Sequence, residues 1–336
     1  MLFTKVTKKR DKIMKNTKLT IGTHNGVFHT DEIVAISMYR AYIEDNVEII
    51  RTRNPQEFNS CDVKIDVGGE YAPTCWSSYY GDCMLMTQFI GYSVLGDFDH
   101  HQFSDGDELY GLSSAGLILK ALIEPMDACC DIGKCPWVDT VVSEPSQSLL
   151  NLAAAVDARD TRVHWDGWQN MKFCQDVTFD ELFNSISGCN QLDIASKEQD
   201  TVFDTLVDLF TDYFKGDMEA CELYESIANI ASKTQKGTEK EISKIKDTLT
   251  VSDKFVHFED FQSFPMAAKW LFDRGYDTYI FVSFDKLQDN WTYQVDTDMQ
   301  KIVSVSNTVF VHANGFIAKS LDGMDAVVID LEEVTE

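Results

Sequence analysis

The sequence predicts an α/β fold: a parallel-sheet domain with flanking helices, a helical connector, and a smaller α/β domain at the carboxyl end. Three observations carry this expectation. Strand-like and helix-like segments alternate through the first half, and polar residues collect just after each strand rather than within it. The alternation then resumes beyond a basic polar stretch, "KTQKGTEKEISKIK", which suits a linker or a surface helix. The resulting division is a basic, disordered arm over 1–18, a first domain with its connector over 19–235, and a carboxyl-terminal domain over 236–336.

Taken in order, "KLTIGT" reads as a strand. "DEIVAISMYRAYIEDN" reads as a helix with Ile33, Ile36, Tyr39 and Ile43 on one face, capped by Thr30 and carrying acids in its first turn. "NVEIIRT" and "DVKIDV" are further strands, the second alternating Val63, Ile65 and Val67. Residues 71–93 are aromatic and follow neither period, so they read as an insertion that folds over the site or meets a partner. "GYSVLGDFDHH" is a strand running into polar residues, and "LSSAGLILKALIE" opens a helix with Ser113 or Ser114 placed to cap it. Residues 125–145, rich in Cys and Pro, read as a loop, and 146–158 and 179–234 as mainly helical. Strands and a helix return in "KFVHFED", "MAAKWLFDRGY", "DTYIFVSF", "WTYQVDT" and "NTVFVHANGFIA".

Composition narrows the function classes. A chain of 336 residues with 44% hydrophobic and 12% aromatic content can bury a sizeable core. It contains no run of 18 apolar residues, which excludes a spanning helix, and its amino terminus lacks the apolar core of a secretory signal. Nine scattered cysteines suggest neither a disulfide framework nor a CxxC zinc site and fit a reducing compartment, cytoplasmic or other intracellular. The first 18 residues hold seven Lys or Arg against one Asp, which reads as a dispensable arm, a weak organelle-targeting segment, or an extension ahead of a start at Met14. Elsewhere acids dominate, and a formal charge of −26 opposes a broad basic footprint for duplex nucleic acid.

Four acid and histidine clusters end elements of the first domain. "THNGVFHTDE" supplies His24, His29, Asp31 and Glu32 after the first strand, where open parallel sheets gather ligands. "KIDVGG" places Asp66 at the end of an apolar strand, before glycines that let the backbone turn close to a ligand. "DFDHHQ" crowds Asp97, Asp99, His100, His101 and Gln102 at another strand end. On an extended chain the two histidines point to opposite sides, so one can bind a metal while the other faces substrate. "AAAVDARDT" ends an apolar helix in Asp157 and Asp160, which share a face at i and i+3. Alone, the first, second and fourth clusters read more readily as a polar turn or a solvated helix end, and the third more readily as a site. Together they hold four of the seven histidines, and all end elements of one α/β unit. Imidazole and carboxylate donors without thiolate suit two divalent ions, manganese first, with magnesium, cobalt or zinc as alternatives. Such a pair hydrolyses phosphoesters.

In this order, "THNGVFHTDE", "CDVKIDVGGEY", "DHHQ" and "VDARD", with "IIRTRNP", "LSSAG" and a late "FVHANGFIAKS", the chain resembles the DHH phosphoesterase superfamily, and within it the melanocyte proliferating gene (MYG) family of exonucleases. The resemblance runs over roughly 19–330 and implies a DHH-type fold. It implies His24, His29 and Asp66 on one metal, and Asp31, Asp66, His100 and an acid of "VDARD" on the other, with Asp66 bridging. Asp157 and Asp160 both fit that motif, Asp157 being slightly favoured. It casts His101 as the phosphate-facing histidine and Asp99 as a ligand or as the group that orients a histidine. Arg53, Ser114, His312, Asn314 and Gly315 become candidates for substrate binding, and Glu32 is left as a first-turn helix acid. The longer segment between "VGGEY" and "DHHQ" and the altered "GFIAKS" ending depart from the family pattern and bear on substrate range. The implied activity is that of a 3′–5′ exonuclease on RNA or short oligonucleotides, with a metal-bridging hydroxide as nucleophile and no membrane partner. A phosphatase or pyrophosphatase of the same superfamily and a non-catalytic binding protein are the rivals, and a homo-oligomer is left open.

Overall fold

The computed structural model describes residues 18–76, 93–123, 145–163, 167–194, 196–245, 250–252, 255–258, 280–285, 288–295, 300–311, 315 and 317–333. The basic arm up to residue 17, residues 77–92 of the expected insertion, most of the 125–145 loop, the helix expected at 266–276, His312 and Asn314 lie outside the described residues. The chain forms two units. One contains the chain up to Ser187 together with Phe203–Ala228, and the other Gly188–Val202 and Asn229–Glu336.

The first unit is built on a five-stranded sheet. Its elements are β1 (Leu19–Thr23), α1 (Thr30–Tyr42), β2 (Val47–Arg51), α2 (Pro55–Phe58), β3 (Val63–Ile65), β4 (Tyr71–Trp76), β5 (Ser93–Phe98), α3 (Ser114–Ile123) and α4 (Gln147–Thr161). A short β6–β7 ladder (Lys172–Cys174, Val177–Thr178) and α5 (Phe179–Ser187) follow. The long helices α6 (Lys197–Lys215) and α7 (Ala220–Ile245) then cross the division between units, which falls inside both of them. The basic stretch read as a linker or surface helix is the end of α7 up to Ile245.

The sheet order is β2-β1-β3-β5-β4, parallel except for β4, which runs antiparallel to β5 at the edge. The start of the expected insertion is therefore strand. Its Pro73, which cannot donate to a ladder, is tolerated because β4 is an edge strand. Helix α1 is buried continuously from Thr30 to Tyr39 rather than along one stripe, because it packs on α3 and α4 as well as over the sheet. Each fully buried aliphatic side chain in it, such as Ile33 or Ile36, contributes roughly 1.5–3 kcal/mol. Ser37 sits in this apolar setting because its hydroxyl donates to Ile33 O at 2.7 Å, and Val207 O lies 3.0 Å away.

In the second unit β8 (Thr250–Ser252), β9 (Phe255–Phe258), β10 (Ile280–Asp285), β11 (Asn290–Gln294), β13 (Thr308–Val311) and β14 (Ile317–Ser320) form a sheet of order β13-β14-β11-β10-β9-β8. β12 (Gln300–Val305) and β15 (Ile329–Glu333) pair separately. Among the described strands of this sheet only β9 and β10 run parallel, so it is mainly antiparallel. Ile280, Val282, Tyr293, Val295 and Ala318 bury one of its faces against Ile302 and Ile329.

Candidate metal centre

Strand register brings three of the four clusters together. Ile21 and Gly22 of β1 pair with Val63 and Lys64 of β3, and Ile65 of β3 pairs with Phe98 of β5. Continued past the strand ends, the same register sets His24, Asp66 and Asp99–His100 side by side. This is also where the strand order reverses, β2 lying on one side of β1 and β3 on the other, so the crevice at the carboxyl ends of β1 and β3 is the sheet's natural ligand position.

Asp66 lies at the centre. Its Oδ2 is 3.1 Å from His24 Nε2, and its Oδ1 is 3.4 Å from both His100 Nε2 and His101 Nδ1. Its backbone is left-handed, at φ 56°, which costs a non-glycine residue on the order of 1 kcal/mol. Gly68 and Gly69 follow at φ 106° and 71°, completing the turn. The Asp66 N–H donates to Phe98 O at 3.2 Å and the Gly69 N–H to Asp99 Oδ2 at 2.6 Å, which hold the turn in place. Burial pushes the Asp66 carboxyl up, yet the bonds from His100 and His24 outweigh it and hold the group well below the usual carboxylate range.

Around Asp66 the side chains fall into three overlapping groups. His24, His29, Glu32 and Asp66 form one, Asp66, His100 and His101 the second, and Asp31, His100 and Asp160 the third; within each, the donor atoms lie within 4.8 Å of one another. His24 is buried, and its Nδ1 lies 3.3 Å from both Asn25 O and Arg53 Nη2. Burial lowers the His24 pKa, but Glu32 and Asp66 outweigh it and raise it to about 10, so Nε2 holds a proton between the two carboxylates; a cation there would displace that proton and, with Nδ1–H donating to Asn25 O, leave the Nε2 lone pair facing it. His29 takes the N-cap position of α1 that the sequence had suggested for Thr30, but its side chain makes no capping bond. It turns instead toward Glu32, 3.8 Å away, with 54% of the side chain exposed.

Asp31 and Glu32 are at most 1% exposed, and neither carboxylate has a partner in full hydrogen-bond geometry among the described residues, Glu32 Oε2 standing 2.7 Å from His24 Nε2. Burial drives both toward the neutral form; for Asp31 the neighbouring Asp160 and Asp66 charges add to it. Asp160 is driven the same way by burial. Buried carboxylates with unpartnered oxygens aimed at common points are costly unless a cation neutralises them. Oxygen and imidazole donors without thiolate fit a divalent ion, so the residues present fit the metals expected from the sequence.

The two adjacent histidines do not diverge as on an extended chain. The backbone turns directly after β5, with Phe103 N–H donating to His100 O at 3.1 Å, and the two ring centroids lie only 4.4 Å apart. His100 Nε2 is 3.1 Å from Asp160 Oδ2 and 4.0 Å from Asp31 Oδ2. His101 Nδ1 is 2.6 Å from Asp99 Oδ1, and this bond raises its pKa to about 9. Asp99 accepts also from the His101 and Gly69 backbone N–H groups, so it orients one histidine and the glycine turn.

Of the two acids in the fourth motif, the structure brings Asp160 to His100 and turns Asp157 elsewhere. Asp157 Oδ1 accepts from Ser113 N at 2.9 Å and Ser113 Oγ at 2.6 Å, at the amino end of α3. Ser113, the residue before the first helical residue Ser114, is thus held by a carboxylate from α4. Gly116 belongs to the same arrangement, because a Cβ there would stand 2.4 Å from Asp157 Oδ1 and 2.5 Å from Oδ2. Gly116→Ala is expected to lower stability by about 2 kcal/mol, as an overpacked core position does, read as a fall in the thermal midpoint.

The remaining candidates separate. Arg53 is exposed at the rim, its Nε donating to Asn25 O at 3.2 Å, so it braces the loop that carries His24. Ser114, the first residue of α3, is fully buried, and its hydroxyl has no partner among the described residues. Gly315, at φ 69°, approaches its own chain closely: a Cβ would meet Lys301 Cγ at 2.1 Å, and Ile302 N–H donates to Gly315 O at 2.7 Å. Two roles escaped the sequence reading, that of Glu32 inside the cluster and that of Ser113 with Asp157. The one available signal for Glu32 was its place next to Asp31 in the densest motif of the chain.

A parallel α/β sheet whose strand ends gather four imidazoles and several buried carboxylates defines a protein with a candidate centre for divalent ions. The chain belongs to the MYG1 exonuclease family: the family model, described as uncharacterised protein family UPF0160, matches residues 20–77 and 93–328. It is 56% identical over 54 residues to the MYG1 exonuclease of Mus musculus, covering 16% of this chain and 14% of that one. With the MYG1 exonuclease of Homo sapiens it shares 49% identity over 65 residues, 19% of this chain and 17% of the other. A MYG1 protein of Schizosaccharomyces pombe is 38% identical over 111 residues, 31% and 28%. The chain thus aligns with between 14% and 28% of the length of these relatives. No helix among the described residues is long and apolar enough to cross a membrane.

Proposed function

We propose that this chain is a metal-dependent phosphodiester hydrolase of the DHH type, acting as a 3′–5′ exonuclease on RNA or short oligonucleotides. The observation that carries the reading is Asp66, strained, buried and shared by two groups of imidazole and carboxylate donors. The names of the mouse and human relatives support the nuclease class. Two divalent ions, manganese by preference, would be held by His24, His29 and Asp66 and by Asp31, Asp66, His100 and Asp160; bound there, they would supply an activated water and neutralise the scissile phosphate.

The chain's own groups do the rest. Asp99 fixes His101 through Nδ1, so the exposed part of the ring meets substrate as a cation at neutral pH, bonding a phosphate oxygen or giving a proton to the leaving oxygen. Arg53, beside His24 at the rim, adds positive charge where a phosphate would enter. With a formal charge of −26, the protein suits a short single strand better than a duplex, because attraction is confined to the site. The carboxyl-terminal domain, with His312 and Asn314, is assigned to substrate recognition, and the compartment to a reducing intracellular one.

The test incubates the full chain and Mn²⁺ with a 5′-labelled oligoribonucleotide, the DNA of the same sequence, and pyrophosphate. A ladder shortening from the 3′ end, abolished by a chelator, is expected. Phosphate release from pyrophosphate alone selects the small-substrate phosphatase instead, and no turnover of any of the three selects a binding protein.

A further inference from the structure

We infer that Glu32 is a direct ligand in the ion position made by His24, His29 and Asp66, completing a set of two imidazoles and two carboxylates. The inference rests on the metal-centre reading and goes beyond it by giving a ligand role to an acid that the family resemblance leaves to the helix.

Three observations carry it. Glu32 is the third residue of α1, counted from the His29 N-cap, where a glutamate ordinarily reaches back to the N-cap N–H. Here neither oxygen has a partner in full hydrogen-bond geometry among the described residues, and Oε2 faces His24 instead of the His29 N–H, so the helix-capping role is not exercised. The side chain is fully buried, and its Oε2 stands 2.7 Å from His24 Nε2 and 3.8 Å from His29 Nδ1. The 2.7 Å approach is an ion pair when His24 Nε2 is protonated; with Nδ1–H donating to Asn25 O and Nε2 unprotonated, the same spacing is that of ligands around one ion. The third observation is charge. Asp31, Asp66 and Asp160 bring three negative charges against the four positive charges of two divalent ions, Asp99 being bound to His101. Glu32 makes the buried centre electroneutral, which is the condition under which buried charge is least costly.

The two positions then differ in chemistry. The Glu32 position has two imidazoles, and the Asp31 position one imidazole among carboxylates, so the first favours a transition ion over magnesium more strongly than the second.

The experiment uses the full chain, metal-depleted and titrated with Mn²⁺ by calorimetry, with metal content read by elemental analysis after dialysis. The wild type is expected to take two ions per chain. Glu32→Gln is expected to weaken one of the two by at least about tenfold, the effect typical of altering the ligand environment, and leave the other unchanged. Asp31→Asn is expected to weaken the opposite one. Glu32→Asp, which keeps the charge but draws it back by one methylene, serves if the glutamine variant does not fold, and is expected to weaken the same ion. Two ions bound by the Glu32 variants with wild-type affinity, whatever their thermal midpoint, overturn the ligand role. A wild type that binds no ion overturns the metal-centre reading itself, and the ligand role with it.

Discussion

Asp66→Asn is expected to abolish the proposed exonucleolytic turnover, by about 10³-fold or more, equivalent to about 4 kcal/mol of transition-state stabilisation. Asparagine is the informative replacement because it tolerates the left-handed backbone that Asp66 adopts at φ 56°, whereas alanine adds strain that confuses chemistry with folding. The amide keeps the shape and removes the charge faced by His24 at 3.1 Å and by His100 and His101 at 3.4 Å. Since Asp66 belongs to two of the three donor groups, both ions should leave together, and metal content is the measurement that accompanies the rate. A variant that retains two ions and near-wild-type turnover would sink the assignment of Asp66 as the bridging group.

The second large effect separates two acids that the sequence places on one helical face. Asp160→Asn is expected to lower turnover by about 100-fold and to weaken one ion, because its carboxylate meets His100 at 3.1 Å. Asp157→Ala is expected to keep the metal content, and turnover per folded molecule within a few-fold, while lowering stability by roughly 1–2 kcal/mol through loss of the capping bonds to Ser113. The pH dependence of that loss has a definite sign. Burial raises the Asp157 pKa to about 6, against the opposing Ser113 bonds. A carboxyl whose folded pKa is raised contributes most below its unfolded value, near 4, and loses that contribution as the pH climbs through about 6. The gap in thermal midpoint between wild type and Asp157→Ala should therefore be wider at pH 5 than at pH 8. Equal losses of metal from both variants would overturn the distinction.

These two acids show where the sequence stops being informative. Spacing at i and i+3 says that Asp157 and Asp160 share a face, but which of them reaches the sheet depends on how α4 lies against α3, a contact made by Gly116 and by Ser113, the latter 44 positions from Asp157. Glu32 fails for a related reason. An acid in the first turn of a helix is stabilised by the dipole whether or not it binds anything, so composition and position cannot tell a ligand from a helix-start residue. Ser114 and Gly315 show the same limit: hydroxyl and glycine suggest contact with substrate, and only the packing shows one at the buried start of α3 and the other against β12.

By itself the sequence determined that strands end in clusters of imidazole and carboxylate, that these clusters follow the family's order, and that thiols and broad basic surfaces play no part in them. Those are properties of local pattern, legible because strand alternation and the abrupt appearance of polar residues leave a mark within a few residues. Only the tertiary structure decided which of these residues stand together. The β1–β3–β5 register sets His24, Asp66 and His100 abreast, the turn after β5 brings both histidines to one carboxylate, and the burial of α1 turns Glu32 inward. Each depends on contacts between residues tens of positions apart, which no local period encodes.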